Sequence, residues 1–220
     1  MNAVIGIVGG SGGVGASSFA AVIAGVATGS VLVDLDVTAG GLDVTLGIEA
    51  ATGARWSGLH VAGGHLDPAT LVDGLPRWGS VAVLAADVPE LDPDAVLQVL
   101  GAARAAGPVV VDLPRAPCPE RAAALLHCDL VVLVARADVS GLVAAHATAA
   151  ALPELPVGLV TRRGAVAARE AAELVGCPLL GELPPLSGSR FDPAPGRPPR
   201  AAARVAAGVL AGLVETPVGR

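Results

Sequence analysis

Residues 4–18 read VIGIVGGSGGVGASS: an apolar run, a glycine-rich loop, and the start of an alanine-rich segment of helical length. A strand, a glycine-rich loop and a helix in this order are typical of α/β proteins that bind phosphate groups. Gly10, Gly15 and Ser17 fall on the phosphate-loop frame G-x-x-x-x-G-K-[ST], but Ala16 stands where that frame has lysine. The stretch therefore predicts a loop that offers phosphate its backbone amides and a hydroxyl, without a positive charge.

The composition favours one α/β domain without a membrane span. Of the 220 residues 53% are hydrophobic and only 2% aromatic, so Ala, Val and Leu must build the core. The apolar runs, such as LVVLVA at 130–135, are far shorter than the roughly 20 residues of a membrane helix. The N-terminus lacks the basic region and cleavage site of a signal peptide, and the three cysteines are too scattered for a disulfide framework or a CxxC metal site. We expect a cytoplasmic protein that a partner recruits to the pole, the septum or the inner membrane.

The charged residues argue against specific partnership with nucleic acid. The net charge is −6 and no run of basic residues is present, whereas affinity for nucleic acid comes mostly from Lys and Arg that neutralise phosphates. All 14 basic residues are arginine. A general replacement of Lys by Arg would leave arginine in the loop, but the loop has Ser11 and Ala16.

Short apolar runs alternate with alanine-rich stretches along the chain, as in a mostly parallel sheet with helices on both faces. The apolar runs predict about seven strands, near 3–8, 31–35, 80–85, 108–112, 129–135, 156–161 and 178–182. The alanine-rich stretches predict helices near 16–27, 93–106, 119–127, 139–151, 164–175 and 200–214. Residues 36–79 are expected to form a long connection with a helical turn or two, and 184–200 a surface loop. The sequence predicts a single P-loop NTPase-like, three-layer α/β domain over residues 1–220.

A dinucleotide site is the alternative interpretation of the same loop. Gly10, Gly12 and Gly15 also fit G-x-G-x-x-G, and Asp34 or Asp36 lies about 20 residues further on, where that site has its ribose-binding acid. Because the chain has no tyrosine and no lysine, a dehydrogenase that depends on a Tyr/Lys pair is excluded. The phosphate-loop frame explains more residues, since it also assigns the double glycine to an anion nest and Ser17 to a magnesium ligand.

Several further stretches follow in the order of a known family. They are GGSGGVGASSFA (9–20), VLVDLDVTAGGLDVTLG (31–47), VVVDLPR (109–115), LVVLVARAD (130–138), VGLVTRRG (157–164) and GCPLLGELPPL (176–186). Together they resemble the deviant Walker A ATPases of the MinD/ParA superfamily. Alanine in place of the loop lysine and the DLPR motif resemble the CpaE/TadZ branch of pilus-localisation proteins, above all the actinobacterial CpaE-like proteins of septum site-determining type.

The resemblance implies a site for ATP or ADP with Mg²⁺. The nucleotide-binding residues that it implies are Gly10, Ser11, Gly12, Gly13, Val14, Gly15, Ala16, Ser17, Ser18 and Arg162, the last of which follows Thr161 where the family often has an adenine-reading asparagine. Ser17 and, through water, Asp112 are the implied Mg²⁺ ligands, with Asp34 as a further candidate, while Asp36 matches the carboxylate that orients the attacking water. Asp36 as a loop cap and Asp112 as a plain strand-end carboxylate remain the alternatives.

The resemblance also implies a role in positioning a pilus, secretion or cell-division machine. Both family lysines are replaced, by Ser11 and Ala16, and each lost charge-assisted hydrogen bond weakens binding by roughly 10- to 150-fold. We therefore expect weak ATP or ADP binding, little or no hydrolysis, and protein partners from such a machine. The alternatives are an active ATPase switch in which Arg115 or Arg136 replaces the lysines, a dinucleotide-binding enzyme, and a loop kept only for packing.

The resemblance also leads to expectations about self-association and membrane anchoring. A homodimer is expected to use an apolar, glycine-rich surface within 38–47. The receiver-like domain that precedes the ATPase in CpaE proteins is expected to be absent, because the first predicted strand starts at residue 3. Residues 200–220, RAAARVAAGVLAGLVETPVGR, carry few cations, so no direct membrane anchor is expected, in contrast to MinD.

Overall fold

The computed structural model describes residues 2–38, 40–59, 66–184 and 198–215. Within them the chain forms one eight-stranded sheet with the order β3-β4-β2-β5-β1-β6-β7-β8. The strands are β1 (Val4–Gly9), β2 (Val31–Asp34), β3 (Arg77–Trp78), β4 (Val81–Leu84), β5 (Val109–Asp112), β6 (Leu130–Arg136), β7 (Val157–Arg162) and β8 (Leu179–Leu183). The helices are α1 (Ala16–Val26), α2 (Leu42–Leu46), α3 (Pro68–Gly74), α4 (Pro93–Ala106), α5 (Pro119–Leu125), α6 (Val139–Ala150), α7 (Ala168–Val175) and α8 (Arg200–Glu215), with a 3₁₀ turn at Trp56–Gly58.

Helices cover both faces of the sheet, which explains why its inner strands are apolar up to their carboxyl ends, where β2 and β5 finish in Asp34 and Asp112. On one face Phe19 and Ile23 of α1 and Ala206 of α8 pack with the strands. On the other face Leu100 of α4, Ala145 of α6 and other residues of α3–α7 form a second cluster. The expected three-layer α/β architecture is therefore confirmed.

The order of the central strands differs from that of a dinucleotide-binding sheet. Strand β5 lies between β1 and β2 and pairs in parallel with both, so that Asp112 is in register with Ile7 on one side and with Asp34 on the other. In the dinucleotide-binding fold the first two strands are neighbours. The dinucleotide interpretation therefore loses its structural basis, and the loop after β1 faces the end of β5 instead.

The eighth strand, β3, was not predicted. It has two residues, pairs antiparallel with β4 and lies in the region expected to be a connection, where the structure also has α2, α3 and the 3₁₀ turn. Two residues are too few to show an alternating pattern, so no sequence pattern predicts this strand.

Helix α7 begins at Ala168 rather than at 164 as predicted. A Cβ at Gly164 would lie 2.1 Å from the Ala137 carbonyl oxygen, and the same oxygen accepts a hydrogen bond from the Val166 amide at 2.9 Å. These residues are therefore held in a connection against the end of β6, and the helix starts after it. The expected surface loop at 184–200 falls mostly on residues 185–197, which lie outside the described residues.

No helix in the described part of the chain is long and apolar enough to cross a membrane. Helix α8 buries Ala202, Ala206 and Val209 against the rest of the domain, and it packs on α1 and β8. The absence of a direct membrane anchor stays a prediction.

Candidate functional site

The glycine-rich loop joins β1 to α1 and has two residues in the left-handed region. Gly13 has a φ of 69° and Gly15 a φ of 90°, values that residues other than glycine rarely adopt. Gly10 is required for packing, because a Cβ there would lie 2.9 Å from the Cα of Ala145 on α6. A Cβ at Gly12 would meet nothing within 4 Å. Packing thus accounts for Gly10, whereas packing within the described residues does not require glycine at position 12.

A cavity of about 590 Å³, which we call the loop cavity, opens beside this loop and α1. The ends of β2 and β5 supply its acidic lining through Asp36 and Asp112, and α5 adds Glu120. Arg115 is the only cation among the described residues that line it. The lining residues are Gly9, Ser11, Gly12, Gly13, Val14, Gly15, Ala16, Ser17, Ser18, Asp36, Val37, Thr38, Thr45, Asp112, Leu113, Pro114, Arg115, Ala116, Cys118 and Glu120.

Asp112 lies at the base of the loop cavity and is hydrogen-bonded to the side chain of Ser17 in the first turn of α1. Its burial raises the pKa of the carboxyl to about 7, and the negative charges of Asp34 and Asp36 act in the same direction. A hydroxyl and a carboxylate together are suitable ligands for Mg²⁺, which binds few protein groups and completes its shell with water and phosphate. The structure thus brings together the two residues predicted to hold the metal.

Asp34 lies next to Asp112 on β2 but is not among the lining residues of the loop cavity. Its two carboxylate oxygens accept hydrogen bonds from the backbone amides of Asp36 (3.1 Å), Leu42 (2.9 Å) and Ala86 (3.3 Å). Burial nevertheless raises its pKa to about 6. These contacts give Asp34 a structural role in shaping the chain after β2, and its predicted contact with metal stays a prediction.

Asp36 lines the loop cavity, and its Oδ1 accepts hydrogen bonds from the Thr38 amide (3.1 Å) and the Thr38 hydroxyl (2.6 Å). This is the capping role that the sequence left open as the alternative to catalysis. Because the same side chain also faces the cavity, the orientation of an attacking water by Asp36 stays a prediction.

A second cavity of about 310 Å³, which we call the arginine cavity, shares residues 11–14 of the loop with the first. Its other walls are Arg136 at the end of β6, Arg162 at the end of β7, Arg163 and Pro184. The sequence singled out Arg136 and Arg162 but missed Arg163, for which the only signal was its position just after a strand.

Each of these arginines has a different partner. Arg136 pairs with Asp138 at 2.8 Å, Arg163 pairs with Glu182 at 3.0 Å, and Nη1 of Arg162 donates to the Val14 carbonyl oxygen at 3.1 Å. The loop thus lies between an acidic cavity and a basic one.

Thr161 was predicted at the position of an adenine-reading residue. It is fully buried, its hydroxyl has no hydrogen-bond partner among the described residues, and it lines neither cavity. Its side chain therefore faces the interior of the domain and is not placed to contact an adenine base in either cavity.

The buried carboxyls predict a measurable pH dependence. Because both pKa values are raised, the folded protein keeps protons that the unfolded chain releases above about pH 4. The two protonated carboxyls therefore stabilise the folded state most in acid. This contribution to the free energy of unfolding is lost as the pH rises through about 6 for Asp34 and about 7 for Asp112. We expect the two groups together to contribute a loss on the order of 2–4 kcal/mol between pH 5 and pH 8. Urea unfolding of the wild type and of Asp112→Asn tests this, because the variant should lose most of Asp112's share. Parallel pH profiles for the two proteins would contradict it.

The described residues hold no group of three or more His, Cys, Asp or Glu side chains arranged for a metal ion. A cation at this site would thus depend on phosphate oxygens and water to complete its shell.

The sequence matches no protein-family model. It is 41% identical over 189 residues to uncharacterized proteins from two strains of Mycobacterium tuberculosis, an alignment that covers 82% of this chain and 54% of each relative. The chain therefore spans about half the length of the curated relatives it matches.

Solved structures show the same fold at low sequence identity. The ParA family ATPase from Chlorobium tepidum has a TM-score of 0.76 at 17% identity, with 98% of this chain and 94% of that chain covered. The septum site-determining protein MinD from Pyrococcus horikoshii, solved with Mg-ADP, has a TM-score of 0.71 at 19% identity, with 97% and 98% covered. MinD in the MinC:MinD cell division complex of Aquifex aeolicus also scores 0.71, at 18% identity, with 99% and 98% covered.

Proposed function

We propose that this chain, which has the fold of the ParA and MinD ATPases, is a CpaE/TadZ-like P-loop protein that binds Mg-ATP or Mg-ADP weakly and hydrolyses it little or not at all. In this proposal it acts as a scaffold in the spatial positioning of a pilus, secretion or cell-division machine. Residues 1–220 would act as one domain, in the cytoplasm, recruited to its place by a partner.

The observation that carries the proposal is the glycine-rich loop between β1 and α1, which has the spacing of a phosphate loop but no positive charge. The left-handed glycines, the bare Gly12 and the Ser17–Asp112 pair lie together at the loop cavity. Ser11 and Ala16, also at that cavity, carry no charge. Backbone amides and the dipole of α1 still favour phosphate, which supports binding, while the absent cations make it weak.

Hydrolysis demands more than binding. Charge develops on the transferring phosphoryl oxygens and the leaving oxygen, and phosphate-loop enzymes neutralise it with lysine, arginine and Mg²⁺. A water oriented by Asp36 would meet a transition state that lacks the lysine. This supports a protein that holds nucleotide rather than one that turns it over.

Calorimetric titration with ATP, ADP and NAD, each with and without Mg²⁺, tests the proposal. We expect dissociation constants for Mg-ATP and Mg-ADP between micromolar and millimolar, no comparable binding of NAD, and negligible release of phosphate. Absence of any response at millimolar nucleotide would leave the loop with a packing role and would contradict the proposal.

An active ATPase switch is the second candidate, because Arg115 lines the loop cavity and its side chain is exposed there. A guanidinium at this position could neutralise phosphate as an arginine finger does. Sustained phosphate release that falls in Arg115→Ala, with Arg77→Ala on the far edge of the sheet as the control, would favour the switch over the scaffold.

For a scaffold we expect self-association that depends little on ATP. Without the loop lysines, two triphosphates brought face to face repel one another at short range. Val44 of α2 is 61% exposed, and it lies within the surface at 38–47 predicted to form a homodimer. Sedimentation across a concentration series should give the same association constant with and without Mg-ATP, and Val44→Asp should weaken it. A monomer that dimerises only when ATP is added would favour the switch.

Partners are proposed by analogy of fold. MinD of Aquifex aeolicus is found in a complex with MinC, and on this basis we propose that the present chain binds protein components of a pilus, secretion or division apparatus.

A further inference from the structure

We propose that Arg162 supplies the positive charge that the loop lysine supplies in other phosphate loops, and that it reaches the phosphates from the end of β7 instead of from α1. The inference rests on the proposed nucleotide binding and deepens it, since it assigns the residue on which the affinity for phosphate depends.

Arg162 contacts the loop just before the position where the lysine is missing, from the arginine cavity, which shares residues 11–14 with the loop cavity. Its Nη1 donates to the Val14 carbonyl oxygen at 3.1 Å, and the same nitrogen would lie 3.5 Å from a Cβ placed on Gly15. The guanidinium therefore lies against the two residues that precede Ala16. A side chain that starts on another strand thus places its charge beside the loop.

The charge on Arg162 is the least neutralised of the three in the arginine cavity. Arg136 and Arg163 each have a carboxylate partner within 3.0 Å, whereas within the described residues the hydrogen bond found for the Arg162 guanidinium is to the neutral Val14 carbonyl. A guanidinium has five N–H donors, so most of its capacity remains for a ligand.

The strand register places a second arginine beside Arg162. Arg136 and Arg162 are direct neighbours on the parallel strands β6 and β7, at the carboxyl ends where open α/β sheets bind their ligands. Like charges that face each other across a sheet are unfavourable. An anion in the arginine cavity, which residues 11–14 of the loop also line, would offset the part of this repulsion that the Arg136–Asp138 ion pair leaves.

The chemistry of arginine favours phosphate over the base. Adenine presents a donor beside an acceptor, and reading that pair requires a side chain with both functions, such as an amide. Arginine has donors only, while phosphate oxygens are acceptors only, and the planar fork of arginine suits two of them at once. Arg162 is therefore assigned to the phosphates.

Binding of ATP and of inorganic tripolyphosphate, both with Mg²⁺, by four folded proteins tests this assignment. Arg162→Gln removes the charge but keeps a polar side chain, although its amide is too short to replace Nη1 at the Val14 carbonyl, and it should weaken the binding of both ligands by about 10- to 150-fold. Arg162→Lys restores the charge without the fork and should recover part of the loss. Arg169→Ala, which removes an exposed arginine of α7 outside both cavities, should bind as the wild type does.

Three results would overturn the inference. If Arg162→Gln binds ATP like the wild type while the wild type binds well, the assignment is wrong and the proposed function stands. If the variant loses ATP but keeps tripolyphosphate, Arg162 reads the nucleoside. If the wild type binds neither ligand, the proposed function fails, and this inference fails with it.

Discussion

Lysine in place of Ala16 is expected to tighten the binding of Mg-ATP by about 10- to 150-fold, the effect of one regained charge-assisted hydrogen bond. Ala16 begins α1 and lines the loop cavity beside Ser17 and Asp112, so an ammonium at this position would lie over the phosphates nearest the metal. Isothermal titration of folded Ala16→Lys against the wild type measures the gain.

Ala16→Met is the matched control, because it adds a side chain of similar length without charge, and it should not tighten binding. The gain should also be larger when Arg162 is replaced by glutamine, since the two cations would then no longer serve the same phosphates. Unchanged affinity in a folded Ala16→Lys protein would show that the loop does not hold phosphate in the expected geometry.

Replacing Trp56 with alanine is expected to lower the free energy of unfolding by about 3–5 kcal/mol. Trp56 is 7% exposed and packs in the cluster beneath β2 and β4. Its indole Nε1 also donates to the Asp34 carbonyl oxygen at 2.8 Å, at the point where β2 ends and the acidic side of the loop cavity begins. Urea unfolding followed by far-UV circular dichroism measures the change.

Trp56→Phe separates packing from this hydrogen bond. Phenylalanine keeps most of the buried area and loses the donor, so we expect a cost of about 1–2 kcal/mol. If both variants cost the same, the hydrogen bond and not the burial would carry the stabilisation, contrary to this account.

The central strands and the long helices were predictable because their signals are local. The run VIGIVG forms β1, VVVD forms β5, and the alanine-rich residues 93–106 form α4 with the predicted bounds. Strand β3 was not predictable because two residues carry no pattern. The late start of α7 was not predictable because it depends on the contact between Gly164 and Ala137, which are far apart in sequence.

The candidate site divides in the same way. The glycine loop and Asp112 could be identified because a motif fixes their spacing, and the structure brings Ser17 and Asp112 together as expected. The arginine cavity could not be identified from the sequence, because it joins the ends of β6 and β7 to the loop after β1. Only the register of the sheet makes neighbours of Arg136 and Arg162.

The place of β1 between β5 and β6 has a consequence for synthesis on the ribosome. Residues 10–129 separate β1 from β6, and at about 5–20 residues per second their translation lasts on the order of 10 s. Until then the apolar β1 lacks a partner strand on that side, and the Gly10 amide lacks the Val134 carbonyl that accepts its hydrogen bond. The proposed nucleotide site is therefore complete only after β6 has left the ribosome, and until then the VIGIVG segment is unpaired on that side.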